Sequence, residues 1–192
     1  MKRIVIFASG SGSNAENLIR FFENSTKGSV IQVLSNNPKA KVLERCKRLN
    51  ISALSFNRTA FTATEDVLNI LKASNPDLIV LAGFLWKIPD NILKAFPNRI
   101  INIHPALLPK YGGKGMYGMN VHRAVVENKE PKTGITIHYV NENYDEGAII
   151  FQAECEVLLT DSAEDVAAKI HNLEMEYFPK VVEQLLLKQD KP

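Results

Sequence analysis

The run Ile4-Val5-Ile6-Phe7-Ala8-Ser9-Gly10-Ser11-Gly12-Ser13-Asn14 decides the fold class. Its first half is continuously apolar and rich in β-branched residues, the mark of a strand covered on both faces. Its second half is a glycine and serine turn that opens an amphipathic segment with Leu18, Phe21 and Phe22 on one face. Strand, glycine loop and helix in that order start a parallel βα unit. Backbone N–H groups at such a helix start lack intrahelical partners and favour an anion. The same turn serves equally as a device for tight strand–helix packing.

Moving outward, Val30 to Leu34 reads as the next strand and ends in Ser35-Asn36-Asn37. Gly10, Gly12 and Ala15 formally satisfy the dinucleotide fingerprint, but a nicotinamide site wants an acidic residue where Ser35 to Asn37 stand. A single phosphate fits this loop better than a dinucleotide. Pro38 opens a helical pattern through Val42, Leu43, Cys46 and Leu49, and Ile51 to Phe56 reads as a third strand. A helix over Glu65 to Lys72, a buried strand over Leu78 to Ala82 and a short helix over Pro89 to Phe96 continue the rhythm. The alternation predicts an α/β domain, Rossmann-like, with a mostly parallel sheet and helices on both faces. Thr133 to Val140 and Ala148 to Ala153 are expected to add an antiparallel hairpin. Ser162 and Asp165 form a variant capping box ahead of a helix whose Val166, Ile170, Leu173 and Tyr177 share a face. Pro179 is expected to kink or divide that helix. Residues 1–187 are expected to form one domain, with 188–192 as a frayed tail.

With 192 residues the chain can bury one good core, and its 45% hydrophobic and 23% charged residues are ordinary for a globular protein. A formal net charge of +2 gives no electrostatic case for nucleic acid. No run reaches membrane-spanning length, and Ile4 to Ala8 is too short for a signal-peptide core. Cys46 and Cys155 lack any metal-type or redox-type spacing and are expected to be free thiols in a reducing, cytoplasmic compartment. The four histidines fall outside ligand spacing, so no metal is expected.

The chemistry-bearing stretch is Asn102-Ile103-His104-Pro105-Ala106-Leu107-Leu108-Pro109. It follows Arg99-Ile100-Ile101, the end of a buried strand. A side-chain period of two puts Asn102 and His104 on one face, and Pro105 stops the ladder. Both polar groups therefore project where open α/β sheets place ligands; a capped strand with a satisfied histidine is the plain alternative. Phe84 and Trp86 either line a pocket for a flat ligand or pack in the core. Lys110 to Gly118, with Gly112, Gly113, Gly115 and Gly118, reads as a mobile loop suited to closure over a substrate. His138 is read as a satisfied structural histidine. Asp145 sits in a polar loop, Asn141 to Gly147, and surface positions are the plain reading for His171 and Glu174.

Together, Ser9 to Asn14, Leu81-Ala82-Gly83-Phe84, Asn102 to Pro109 and Asp145-Glu146-Gly147-Ala148-Ile149-Ile150 resemble the phosphoribosylglycinamide formyltransferase family of purine synthesis. The resemblance covers nearly the whole chain. Its central motif is shared with other formyl-tetrahydrofolate enzymes, so it specifies the chemistry better than the acceptor. The chain's length leaves room for neither the tRNA domain of methionyl-tRNA formyltransferases nor the regulatory domain of formyltetrahydrofolate deformylases.

The resemblance implies transfer of a formyl group from 10-formyltetrahydrofolate, a co-substrate, to the amine of glycinamide ribonucleotide, without a metal or a covalent enzyme intermediate. It implies Asn102, His104 and Asp145 as the catalytic trio. Asn102 and His104 supply donors to the oxyanion, and Asp145 favours the imidazolium and assists proton transfer. It implies Gly12, Ser13, Asn14 and Glu174 as contacts of the ribonucleotide and its phosphate. Leu81, Phe84, Leu85, Ile88, Leu93 and Ile100 match the folate wall, with Val140, Asn141 and the loop to Asp145 around the pterin. The amino-terminal half would then bind the ribonucleotide, and the carboxyl-terminal half the folate. Two departures stand out: the Lys110 to His122 connection is longer than in familiar members, and Thr59 to Leu71 holds no Lys or Arg where the family often has an arginine. Arg58, Lys110 or Lys114 are the available substitutes. Hydrolysis of the formyl folate, formylation of another amine and a non-catalytic nucleotide-binding module are the alternatives. The expected partners are small molecules, with no nucleic acid or membrane, for a monomer or homodimer.

Overall fold

A computed structural model describes residues 1–188. Among the described residues seven strands form one sheet: β1 (Lys2–Phe7), β2 (Gly28–Ser35), β3 (Ser52–Ser55), β4 (Leu78–Leu81), β5 (Ile100–His104), β6 (Lys132–Tyr139) and β7 (Ile149–Glu156). Their order is β3-β2-β1-β4-β5-β6-β7. Pairing is parallel from β3 to β5 and antiparallel for β5–β6 and β6–β7. The helices are α1 (Ser13–Phe22), α2 (Lys41–Arg48), α3 (Arg58–Thr62), α4 (Asp66–Ser74), α5 (Asp90–Ala95), α6 (Met119–Glu127) and α7 (Ala163–Lys188). The predicted α/β sheet and its terminal hairpin are therefore present.

The central strand explains the layering. Ile4, Ile6 and Ala8 enter one core cluster, with Leu18 and Phe22 of α1 and Val182 of α7. Val5 and Phe7 enter the other, with Leu68 and Leu71 of α4 and Ile92 of α5. Alternate side chains of a doubly covered strand must serve opposite faces.

Two expectations are corrected and one helix is added. Phe21 does not share the buried face of α1; it is 40% exposed, and Ile19 is buried in its place. The short helix α3 was not predicted; Asn57 caps it by accepting from the Ala60 N–H at 2.9 Å. Pro179 does not divide α7, which runs unbroken over 26 residues. A proline withholds the N–H that the carbonyl four residues earlier would accept. Here that carbonyl belongs to Met175, and Asn17 Nδ2 of α1 donates to it at 2.9 Å. The lost donor is replaced from a neighbouring helix. Of the expected tail, Lys188 ends α7 and residues 189–192 lie outside the described residues.

Candidate active site

The strand order reverses between β2 and β4 about β1, and a crevice opens beyond the carboxyl ends of β1 and β4. Its rim is tied by the Ser9 N–H donating to the Gly83 carbonyl at 3.1 Å and the Leu85 N–H donating to Ser9 Oγ at 2.9 Å. A cavity of about 640 Å³ occupies this crevice. It is lined by the Ser9–Asn14 turn, by Asn102, His104 and Asp145, by Lys114 to Gly118, and by His171 and Glu174 of α7.

The glycine turn is held from its back. Arg45 Nε donates to the Ser11 carbonyl at 2.7 Å, and the Val42 N–H donates to the Gly10 carbonyl at 3.2 Å. Both carbonyls are thus engaged by α2. Gly12, at φ 75°, precedes α1, and no side chain caps that helix. Uncapped N–H groups of a first turn, added to the helix dipole, suit an anion. Asn14 is buried; its Nδ2 donates to Glu174 Oε2 at 2.9 Å, and its Oδ1 has no partner among the described residues. Burial raises the Glu174 carboxyl above its ordinary value, against the Asn14 hydrogen bond and His171.

Asn102 and His104 leave β5 on one face, and β6 brings in a further imidazole. Antiparallel register sets Asn102 opposite His138, with Asn102 Nδ2 3.1 Å from His138 Nε2. His138 Nδ1 lies 2.9 Å from the Tyr139 carbonyl. A carbonyl only accepts, so Nδ1 carries a proton, and Nε2 faces the Asn102 amide. The same Nε2 also faces Asp145, 3.6 Å from its Oδ1. His138 is thus satisfied at both nitrogens, as expected of a structural histidine, and it also stands against Asn102 and Asp145. Its contacts depend on a cross-strand register that the sequence does not display.

His104, 4% exposed, has Nε2 at 2.7 Å from the Tyr111 carbonyl and Nδ1 at 3.5 Å from Asp145 Oδ2. The carbonyl again requires the proton on Nε2, which leaves Nδ1 as the nitrogen free to meet a ligand. Burial lowers the His104 imidazole below its ordinary value; Asp145 and the Tyr111 carbonyl oppose it, and His138 adds to it. Asp145 thus acts in the expected direction, but desolvation outweighs it. For Asp145 the largest influence, burial, is upward, yet His138, His104 and the Gly113 N–H together bring it below the ordinary carboxylate value. The Gly113 bond to Asp145 Oδ2 is 2.9 Å.

A second, narrower cavity of about 70 Å³ adjoins the first. Leu81, Phe84, Ile88, Val140 and Asn141 line it, together with Trp86, Lys87, Asn143 and Tyr144. Phe84 and Trp86 also pack with Phe7, Phe56 and Phe61, so pocket lining and core packing coexist in them. Leu85 instead lines the larger cavity and is 51% exposed. Leu93 and Ile100 line neither cavity; they belong to the core cluster on the α4 and α5 side of the sheet. Ile100 opens β5, and four residues at about 3.3 Å each separate it from His104 at the site end.

The basic substitutes also separate. Lys110 is paired with Glu130 at 2.9 Å, and Arg58 lies over the Trp86 ring at 5.3 Å. Lys114 lines the large cavity. His122, which no motif singles out, lines it too, buried and with its Nδ1 unpartnered among the described residues. Among the described residues, no group of three or more His, Cys, Asp or Glu is placed to hold a metal ion, and no helix is long and apolar enough to cross a membrane.

A family profile described as Formyl transferase matches residues 2–182. The chain is 37% identical over 193 residues to the phosphoribosylglycinamide formyltransferase of Bacillus subtilis, covering 97% of this chain and 95% of that one. It is 35% identical over 187 residues to the chloroplastic phosphoribosylglycinamide formyltransferase of Arabidopsis thaliana, covering 94% of this chain but 64% of that one. A Vigna unguiculata relative of the same name is spanned to 61%, so the chain covers less than two thirds of the plant sequences. Among solved structures, glycinamide ribonucleotide transformylase 1 of Symbiobacterium toebii superposes with a TM-score of 0.89 at 33% identity, covering 98% of this chain and 89% of that one.

Proposed function

The chain belongs to the formyl transferase family, and on that premise we propose that it transfers the formyl group of 10-formyltetrahydrofolate to the amine of glycinamide ribonucleotide in de novo purine (IMP) biosynthesis. The observation that carries the proposal is the place of Asn102 and Asp145, which line both the cavity of the glycine turn and the narrow aromatic slot. A phosphorylated amine held at the turn and a flat folate held in the slot would meet there.

In the proposed arrangement Gly12, Ser13 and Asn14 receive the phosphate and Glu174 the ribonucleotide. Leu81, Phe84, Ile88, Val140 and Asn141 receive the folate, and Leu85 sits on the rim shared with the larger cavity. Leu93 and Ile100 support the slot from the core. The slot, about 70 Å³ by itself, shares Phe84, Asn102, Tyr144 and Asp145 with the larger cavity, so a folate would occupy both.

The amine attacks the formyl carbon, the new C–N bond forms, and the carbonyl electrons become an oxyanion. The Asn102 amide, placed 3.1 Å from His138 Nε2, supplies one donor, and protonated Nδ1 of His104 supplies a second. Asp145, 3.5 Å from that nitrogen, favours its proton and accepts, directly or through water, the proton shed by the amine. The oxyanion then collapses, the bond to the folate nitrogen breaks, and that nitrogen takes the proton. Residues 1–187 act as one unit in this scheme, with small molecules as partners. The proposed setting is the cytoplasm, as a monomer or homodimer, with no metal or nucleic acid in the scheme.

Purified protein offered 10-formyltetrahydrofolate is expected to release tetrahydrofolate only when glycinamide ribonucleotide is present. Release without acceptor would reveal a hydrolase, and release with a sugar-nucleotide amine alone a different transferase; either outcome overturns the proposal. Asn102→Ala and Asp145→Asn should each lower kcat on the order of 100-fold while far-ultraviolet circular dichroism stays native.

A further inference from the structure

We propose that Tyr111, pinned through its hydroxyl to Glu130, is a positioning residue that fixes the tautomer of His104, and that the backbone following it fixes Asp145. The proposal rests on the reading of His104 and Asp145 as the proton-handling pair. It assigns the first part of the glycine-rich segment 110–118 to holding those groups in place, rather than to closure.

The Tyr111 carbonyl at 2.7 Å obliges Nε2 of His104 to hold a proton, which turns Nδ1 towards Asp145. Two residues later the Gly113 N–H donates to Asp145 Oδ2 at 2.9 Å. Between them Gly112 passes so close that a Cβ would stand 2.6 Å from Leu108 Cδ2 and 3.3 Å from Asp145 Cβ. One short piece of backbone therefore touches both members of the pair. Without it the carboxylate beside Nδ1 would draw the single proton of the neutral ring to that nitrogen, in competition with the Nε2–H form.

That backbone needs an anchor. Tyr111 has φ 57°, a left-handed conformation that a residue with a side chain keeps only where its surroundings fix it. Its hydroxyl donates to Glu130 Oε1 at 3.0 Å, and Lys110 Nζ donates to the same carboxylate at 2.9 and 3.2 Å. Its ring packs on the core cluster that contains Val125 and Ile137. Glu130 itself is held just beyond α6, its N–H donating to the Val125 carbonyl at 3.1 Å. The side-chain bond thus ties the loop to a helix end, and the carbonyl on the same residue meets His104.

The test reads the imidazole directly. Nitrogen-15 NMR of the ligand-free protein, with His104 assigned by comparison with His104→Gln, should show a protonated Nε2 throughout and a titrating Nδ1. Asp145, His138 and His122 are the titratable groups facing that ring and are common to every variant. Tyr111→Phe and Glu130→Gln should each give a mixture of tautomers and a lower titration midpoint, because the carbonyl bond favours the protonated ring. With both substrates, kcat should fall about 10-fold with each KM within about 2-fold, and the double variant should be no worse than the poorer single one. A single Nε2–H tautomer retained in both variants overturns the proposal. So does a tautomer mixture with unchanged kcat, or a loss of kcat with the tautomer intact. The NMR result needs no substrate: if wild-type protein transfers no formyl group but loses its tautomer in the variants, the reaction assignment fails and the clamp stands.

Discussion

Gly12→Ala puts the glycine turn under two separate strains whose sizes follow from its geometry. At φ 75° a side chain adopts the left-handed region, at a cost of about 1–2 kcal/mol. The new Cβ would also stand 2.4 Å from Val42 Cγ2, 2.5 Å from Val42 Cβ and 2.9 Å from Val42 Cα. Carbon atoms rest at about 3.5–4.0 Å, and the third of these contacts is backbone, so rotating the valine does not relieve it. Helix α2 must recede by about 1 Å, and overpacking of this kind costs about 1–3 kcal/mol. The total, about 2–5 kcal/mol, is below the roughly 5–15 kcal/mol of a typical domain. The variant should fold, with Tm lower by roughly 4–20 °C. Gly10→Ala is the internal control, since its Cβ meets nothing within 4 Å and its φ lies outside the left-handed range. Its Tm should stay within about 2 °C of wild type, as expected for a surface change. Thermal unfolding of both variants, followed by circular dichroism, measures the difference. Steady-state kinetics should show KM for the ribonucleotide raised in Gly12→Ala with the folate KM unchanged, because receding α2 draws the turn with it. Equal stability of the two variants would refute the packing argument, and a rise confined to the folate KM would refute the assignment of the turn.

Two further predictions concern charge. Glu16 accepts from Arg45, Arg20 and Arg48, and these contacts, Arg45 first, hold its carboxyl at about 2 against an ordinary 4.5. A depressed carboxylate stabilises the fold fully above its unfolded value and loses that contribution as pH falls towards the folded one. Glu16→Gln should therefore be less stable than wild type by on the order of 1–2 kcal/mol above pH 5, after allowance for solvent screening. The two urea-unfolding midpoints should converge near pH 2; a gap independent of pH would exclude the ion cluster as its cause. Glu174 has the opposite sign, since burial raises it above 4.5 and its charged form costs stability as pH rises past that ordinary value. Glu174→Gln keeps an acceptor for Asn14 and should melt higher than wild type at pH 7, match it at pH 4, and bind the ribonucleotide more weakly. A lower Tm at pH 7 would show that the carboxylate is structural.

Local rules made much of the fold legible. The apolar run of β1 is buried on both faces, as continuous β-branched sequence requires. The box before α7 forms, with the Ser162 N–H donating to Asp165 Oδ2 at 2.9 Å and the Asp165 N–H donating to Ser162 Oγ at 3.1 Å. Helix α3 escaped notice because its five residues are too few to show a period. Pro179 misled for a different reason: the prohibition is against an unpaired carbonyl, and Asn17, 162 residues earlier, supplies the missing donor.

The sequence by itself determined the strands, the glycine turn and the shared face of Asn102 and His104, because each follows from neighbours within a few residues and from side-chain periods that the backbone enforces. Only the tertiary structure decided that His138 faces Asn102, that Glu174 meets Asn14, and that the Tyr111 carbonyl sets the proton on His104. Those contacts depend on strand register, helix packing and main-chain groups. Every residue carries the same carbonyl and N–H, so a sequence cannot mark which of them the fold will bring to an imidazole.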